Sequence, residues 1–392
     1  MEGPHRQGGL SPARAASPSA LFFPLAAAYA LFAVPASVLP MLGIAPILPG
    51  LASPAAHAHE MLFGFALLVV AGHQLGRPGP RRLAALLVLW AAARVAFLLF
   101  PASLLAAALD IAFAAGVGTQ LAPRLFSSAK KLRNLALPVV LTGLAACACT
   151  AELARYFQRP ALERTTLTVA VAAFSLLMLF MGGRLLAPAA AGEFHRQGRN
   201  LEARVQPRLE GALIAVLLAA VGASAFPGER ALAVAGGIAM IAGGALAVVR
   251  LLRWRLWAAR ARPDLAAIGV GYAWVAGGLV AWGASILAGQ REIAMLHAIT
   301  VGGLGTLTLN VMALTRARVA RADPAASVLP AWGTGLLALA CAARILADFR
   351  PGMHLALLAF AACAWSAAFA RLLARLIALR RRAPGPPLEY RR

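Results

Sequence analysis

Charge is scarce in this chain. Only 13% of its 392 residues are Asp, Glu, Lys or Arg, where about 25% is usual for a soluble globular protein. That excludes an ordinary water-facing surface. Just 14 residues are acidic, and the lysines are Lys130 and Lys131 alone. Cysteine is as sparse: Cys147, Cys149, Cys341 and Cys363 lie inside apolar runs with no CxxC spacing. A disulfide framework and a zinc ribbon are therefore excluded, and the four read as small buried core residues. Long polar stretches are missing too, which leaves little room for a separate soluble domain.

What is abundant is apolar sequence: 61% of the residues are hydrophobic and the mean hydropathy is +0.76. A bilayer-spanning helix needs about 20 apolar residues, and charge and Pro/Gly punctuation divides this chain into twelve such runs. They fall near 21–42, 58–76, 83–100, 103–121, 135–153, 166–186, 209–226, 231–252, 265–288, 293–314, 328–349 and 355–379. The expected fold is all-α, a polytopic membrane helix bundle with a tail over 1–20, a transmembrane domain over 21–379 and a second tail over 380–392. The first run is too long for a signal-peptide core and follows a polar lead, so it is read as a retained helix.

A net charge of +23 would suggest nucleic acid in a soluble protein; here the arginines sit between apolar runs and read as loop charges. Twenty-six basic residues fall in the tails, in the loops after even-numbered runs and, for Arg250, at the inner end of run 8, against six in the loops after odd-numbered ones. The positive-inside rule then places both termini in the cytoplasm. On that scheme one outer leaflet collects His57, His59 and Glu60 at the start of run 2, Arg94 in run 3, Asp110 in run 4 and Glu152 in run 5. It also takes His297 at the start of run 10, Arg344 and Asp348 in run 11, and His354 at the start of run 12. Arg344 and Asp348, at i and i+4, can neutralise one another on one helix face. His5, His73 and His195 are expected in solvent, in the tail, at the inner end of run 2 and in a loop.

Ionisable groups in a span face a bundle interior, a cavity or one another. Neutral imidazole is a common ligand of transition metals and haem, so histidines converging from runs 2 and 10 would make a site; a hydrogen-bonded structural role is the competing reading for each. His57 and His59, at i and i+2, point about 200° apart on a helix. His59 is expected to face the interior, with His57 reaching the site from the loop. Run 10 continues from His297 through Gly302, Gly303 and Gly305, small residues that allow close approach of a neighbouring helix or of a flat cofactor.

Three segments, HAHEMLFGFALLVVAG at 57–72, GYAW at 271–274 and HAITVGGLGTLTLNVM at 297–312, closely resemble the signature segments of the NnrS family. Those are twelve-helix bacterial inner-membrane proteins described as containing haem and copper and linked to nitric oxide and nitrosative stress. Length, span count and motif order agree along nearly the whole chain, including Gly182-Gly183-Arg184. The resemblance implies that His57, His59 and His297 are candidate haem and metal ligands. Glu60 completes the HxHE element, and Arg94 matches an arginine usual in run 3. The sequence departs from the family pattern after run 2, where Arg77-Pro78-Gly79-Pro80 follows at once, and after run 10, where a Gly-His is absent.

The resemblance invites comparison with haem-copper nitric oxide reductases, but such an enzyme needs six histidines and only four share one face here, which argues against catalysis. A single haem is expected on His297 with His59 or His57, lying against Gly302, Gly303 and Gly305. Copper is a further candidate on a remaining imidazole such as His354, with sulfur from Met61, Met295, Cys147 or Met353. Glu60 and Arg94 would orient a ligating imidazole or pair with a haem propionate. The expected function is nitric oxide binding, or shielding of cellular iron from it. The alternative is a secondary transporter with a polar site near the periplasmic face. Expected partners are the lipid bilayer and nitric oxide, with no nucleic acid; no redox partner is readable.

Overall fold

The computed structural model describes residues 17–76, 78–290, 293–322 and 329–381. Among the described residues all regular structure is helical, and twelve stretches are long and apolar enough to cross a membrane. They are α1 (Pro18–Leu42), α2 (Pro54–Gln74), α3 (Pro80–Leu99), α4 (Leu104–Ser128), α5 (Leu132–Tyr156) and α6 (Pro160–Arg196), then α7 (Glu202–Ser224), α8 (Arg230–Ala258), α9 (Pro263–Leu287), α10 (Ile293–Val319), α11 (Pro330–Phe349) and α12 (Pro351–Arg381). Each answers to one of the twelve apolar runs. His5, residues 1–16 of the expected first tail and residues 382–392 of the second lie outside the described residues.

Local chemistry sets the starts. Pro18, Pro54, Pro80, Pro160 and Pro263 open helices in their first turn, where the missing N–H has no intrahelical partner to lose. Ser53 and Ser103 add side-chain caps, accepting from the amides of Ala56 and Ala106 at 3.2 and 3.1 Å. Several boundaries need correcting: α4 continues seven residues past its apolar run, α7 starts seven before its own, and α6 departs furthest. α6 starts six residues before the apolar run and continues ten past it, because Glu193 and Phe194 bury one face of its final turns. His195 therefore sits in the last helical turn of α6 and not in a loop.

Consecutive spans from α3 onward pack on one another, as α1 does on α2, and α3 meets α2 through its Trp90 and Arg94 side chains; α12 returns to α1, where the Trp365 indole donates to Ala30 O at 3.0 Å. Burial separates the layers. α2, α6 and α10 have 78% of their apolar windows buried, whereas α1, α3, α4 and α8 have 39% or less. Contacts among α2, α6 and α10 put these three at the centre. The outer spans turn exposed apolar side chains outward, among them Val88, Leu105, Ile238 and Phe360, the surface that contacts lipid. Of the cysteines only Cys341 is fully buried; Cys363 is exposed, and Cys147 and Cys149 are half-buried, because the outward face of a membrane helix is apolar as well.

Small residues let the helices approach closely. A Cβ on Gly244 of α8 would stand 2.5 Å from the Ala276 carbonyl oxygen and 2.7 Å from Val280 Cγ2 on α9. Backbone cannot swing aside as a side chain can, so Gly244→Ala should destabilise by about 1–3 kcal/mol through overpacking. Gly277→Ala meets nothing within 4 Å and should leave stability unchanged. Thermal unfolding of the two purified variants in detergent measures the difference.

Candidate functional site

Two polar assemblies sit at the end of the bundle where the even-numbered helices begin. The first is an ionic cluster between α1 and α6. Its centre is Glu60, which opens a π-helical segment, Glu60–Ala66, inside α2. Glu60 is fully buried and accepts from the Tyr29 hydroxyl of α1 and the Arg94 guanidinium of α3. The other arm of Arg94 pairs with Asp110 of α4. His59, also fully buried, places Nδ1 3.1 Å from Glu60 Oε1 and Nε2 2.7 Å from Glu152 Oε1 of α5. Arg155 continues the chain of charge, donating to Glu152 at 3.2 Å and pairing with Glu163 of α6. The His59 ring stacks on Phe97 with centroids 4.6 Å apart.

The sequence makes room for this cluster. Gly64, one turn below Glu60, leaves its Cβ position to the charges: an added methyl would lie 2.8 Å from Arg94 Nη1 and 3.1 Å from Glu60 Oε2. A π-helical turn interrupts the regular hydrogen-bond ladder and is frequent at functional sites; here Gly64 O accepts from the Trp90 indole at 2.8 Å.

The second assembly is a cavity of about 1130 Å³ lined from α1, α2, α6, α10, α11 and α12. It is larger than the roughly 300–1,000 Å³ of most small-molecule sites. Its walls are mostly apolar, with Leu62, Leu304 and Trp365 among them, and three histidines line it: His57, His297 and His354. Their tautomers follow from their partners. His297 Nδ1 faces Ile293 O at 2.8 Å, and His354 Nδ1 faces Ala347 O at 2.9 Å; a carbonyl can only accept, so both Nδ1 atoms carry the proton. His57 Nδ1 lies 2.7 Å from Ser37 Oγ, whose own hydrogen goes to Val34 O at 2.8 Å, so His57 donates as well. All three rings keep the Nε2 lone pair available, the arrangement that outer hydrogen bonds impose on ligating imidazoles. Arg344 and Asp348, paired at 2.8 Å, stand in the same wall.

This geometry corrects the expected assignments. His57 lies in the first turns of α2 and not in a loop, and it is His57 that shares the cavity with His297, while His59 turns away into the ionic cluster. Arg94 also belongs to that cluster and does not line the cavity. The glycine face of α10 is already filled by neighbouring helices. A Cβ on Gly302 would meet Trp274 at 2.6 Å, one on Gly303 would meet Val275 at 2.5 Å, and one on Gly305 would meet Trp365 at 2.6 Å. Trp274 belongs to the GYAW segment of α9, so that motif and the glycine run are the two sides of one helix contact. Of the four sulfur candidates, Met61 and Met295 line the cavity; Cys147 and Met353 do not.

The sequence model of one protein family, described as NnrS protein, matches residues 17–382. The chain belongs to the NnrS family. No curated protein matches it. The family match takes in both assemblies and all twelve spans, and membership suggests a membrane protein related to nitric oxide. In this NnrS chain both assemblies are built on the HxHE segment, His57 serving one and His59 with Glu60 the other.

Tyr29, Asp110, Glu152, Arg155 and Glu163 are members of the ionic cluster that motif reading did not join to the HxHE element. Single carboxylates at 110 and 152 inside apolar runs were the available signal. Arg155 counts as a loop charge by position, yet it is held in the last turn of α5. Removing one partner of a buried ion pair costs about 3–5 kcal/mol, so Arg94→Ala should lower the unfolding temperature of the purified protein sharply. The double variant Arg94→Ala/Asp110→Asn should recover part of that loss, because one stranded charge is gone; differential scanning fluorimetry reads both.

Proposed function

We propose that this NnrS-family chain is a haem protein of the bacterial inner membrane that binds nitric oxide in the histidine-lined cavity. It would act in nitric oxide response or in shielding cellular iron, without reducing the ligand. The observation that carries this reading is the set of three imidazoles, His57, His297 and His354, each with Nδ1–H engaged and Nε2 free, around one apolar cavity of about 1130 Å³. That donor set fits haem, whose iron would be held by imidazole nitrogen, and the volume fits a group of that size. When bound, haem supplies an iron that takes nitric oxide.

The chain's own residues have definable tasks. Ser37 and the carbonyls of Ile293 and Ala347 fix the ring orientations. Arg344 and Arg164 are the cations of the wall and are suited to a cofactor's carboxylates. The apolar walls keep water away from a small uncharged ligand. Met61 and Met295 offer soft sulfur beside the imidazoles, the chemistry that favours Cu(I), which makes copper a second candidate occupant. Three cavity histidines fall short of the six that a haem-copper reductase uses, which supports binding over turnover. The charge bias of the loops supports cytoplasmic termini, and the cavity would then open at the periplasmic end.

The test is an optical spectrum of the detergent-solubilised protein, expressed with ample haem supply, with and without nitric oxide. A Soret band that shifts with nitric oxide is expected in wild type. His57→Ala and His297→Ala should each reduce haem occupancy by at least about tenfold, the scale on which metal sites respond to lost support. His59→Ala should keep its haem. Absence of haem from folded wild-type protein would overturn the proposal and leave the cavity as the substrate site of a secondary transporter, to be followed by uptake assays.

A further inference from the structure

The ionic cluster holds more negative charge than its own cations balance. Glu60, Asp110, Glu152 and Glu163 bring four carboxylates, while Arg94 and Arg155 bring two guanidiniums, and all are buried or nearly so. With His59 in the neutral form that a metal ligand takes, this leaves an excess of two negative charges in apolar surroundings, a state that proteins avoid by pairing, by taking up protons or by coordinating a metal.

A second observation comes from the atoms left over. Asp110 Oδ2 and Glu152 Oε2 are buried with no hydrogen-bond partner, and the two side chains are 5% and 1% exposed. His59 Nε2 likewise makes no aligned hydrogen bond, although Glu152 Oε1 lies only 2.7 Å away. One donor atom from each of His59, Asp110 and Glu152 falls within 4.8 Å of the others. Donors that crowd together without hydrogen-bonding to one another are what the ligands of a common ion look like. An ion held at about 2.0–2.2 Å by each donor needs them no more than about 4.4 Å apart, so the three side chains close around it by a few tenths of an ångström at most.

We propose that His59, Asp110 and Glu152 form a divalent cation site, separate from the histidine-lined cavity. One imidazole and two carboxylates suit a first-row divalent ion such as Mn²⁺ or Zn²⁺. The ion supplies the two positive charges that the cluster lacks and ties α2, α4 and α5 together at one end. Glu60, 3.1 Å from His59 Nδ1, directs the ring so that Nε2 faces the ion, the outer-ligand arrangement usual for metal-bound histidine. Arg94 and Arg155 remain as the outer charges of Asp110 and Glu152.

The experiment uses the full-length protein in detergent, stripped with chelator, loaded separately with MnCl₂ and with ZnCl₂, dialysed, and assayed by mass spectrometry for metal per chain. Haem content is read on the same samples. Wild type should retain about one equivalent of ion, and its unfolding temperature should rise on loading. Asp110→Asn and Glu152→Gln should each retain at least tenfold less ion and lose the rise. His57→Ala, which removes a cavity histidine, should keep the ion. Loss of haem with retention of the ion would count against the cavity reading alone. Wild type that retains neither ion, or Asp110→Asn and Glu152→Gln proteins that elute as folded monodisperse species and bind as wild type does, would overturn the cation site.

Discussion

A guanidinium buried in apolar surroundings must bring its counter-charges with it, and Arg94 brings two from different helices. Glu60 on α2 and Asp110 on α4 both reach it on α3, so three spans are fixed at one depth by one side chain. Arg155 does the same for α5 and the start of α6 through Glu152 and Glu163. His59 joins the two halves. The consequence extends beyond the cluster. Once His59 is pinned between Phe97, Glu60 and Glu152, the rotation of α2 about its axis is set. His57, about 200° away around the helix, has only the other side to face, so the cluster positions the cavity histidine without touching the cavity.

Two of the central helices, α2 and α10, share a second device. Each runs a short α-helical stretch ending in a histidine, His59 or His297, and then passes into a π-helical segment, Glu60–Ala66 or Ala298–Gly305. Such a segment carries more residues per turn than an α-helix, so it changes the angular phase between what lies above and below it. In α10 this phase change lets His297 face the cavity while Gly302, Gly303 and Gly305 face Trp274, Val275 and Trp365. Inside a bilayer an orphaned carbonyl is costly, and the Trp90 indole on Gly64 O answers that cost in α2.

Span number and order were legible because hydropathy is a one-dimensional signal read along the chain. Depth was legible for the same reason: alternation of direction put Glu60, Arg94, Asp110 and Glu152 at one level before any packing was known. Azimuth was not. Whether His57 or His59 faces the cavity depends on which neighbours α2 meets, and that is a fact about α3, α5 and α10. The glycines of α10 carried two meanings, a close helix or a flat cofactor, until Trp274 and Trp365 were seen to fill the space. Tyr29 had no signal at all, being one aromatic in an apolar run whose hydroxyl matters only because Glu60 lies opposite. The overrun of α6 was hidden because its last turns are amphipathic, and a hydropathy window stops where polar residues begin.

Why the polar groups gather at one end follows from the arithmetic of the bundle. The three most buried spans, α2, α6 and α10, recur every fourth helix. Alternate crossing makes spans that differ by four run in the same direction, so their first turns meet at the same end. Those first turns carry His57 and His59, Glu163 and Arg164, and His297. A central helix is least exposed to lipid along its whole length, so charged groups placed near its start can pair with protein groups instead of meeting hydrocarbon. The outer spans then need only supply partners at matching depth, as Arg94, Asp110, Glu152, Arg344 and His354 do. A bundle with its central helices at odd spacing would have opposed their directions and split the same residues between two ends. The four-span recurrence is therefore what makes it possible for one chain to build an ionic cluster and a histidine-lined cavity side by side from a single HxHE segment.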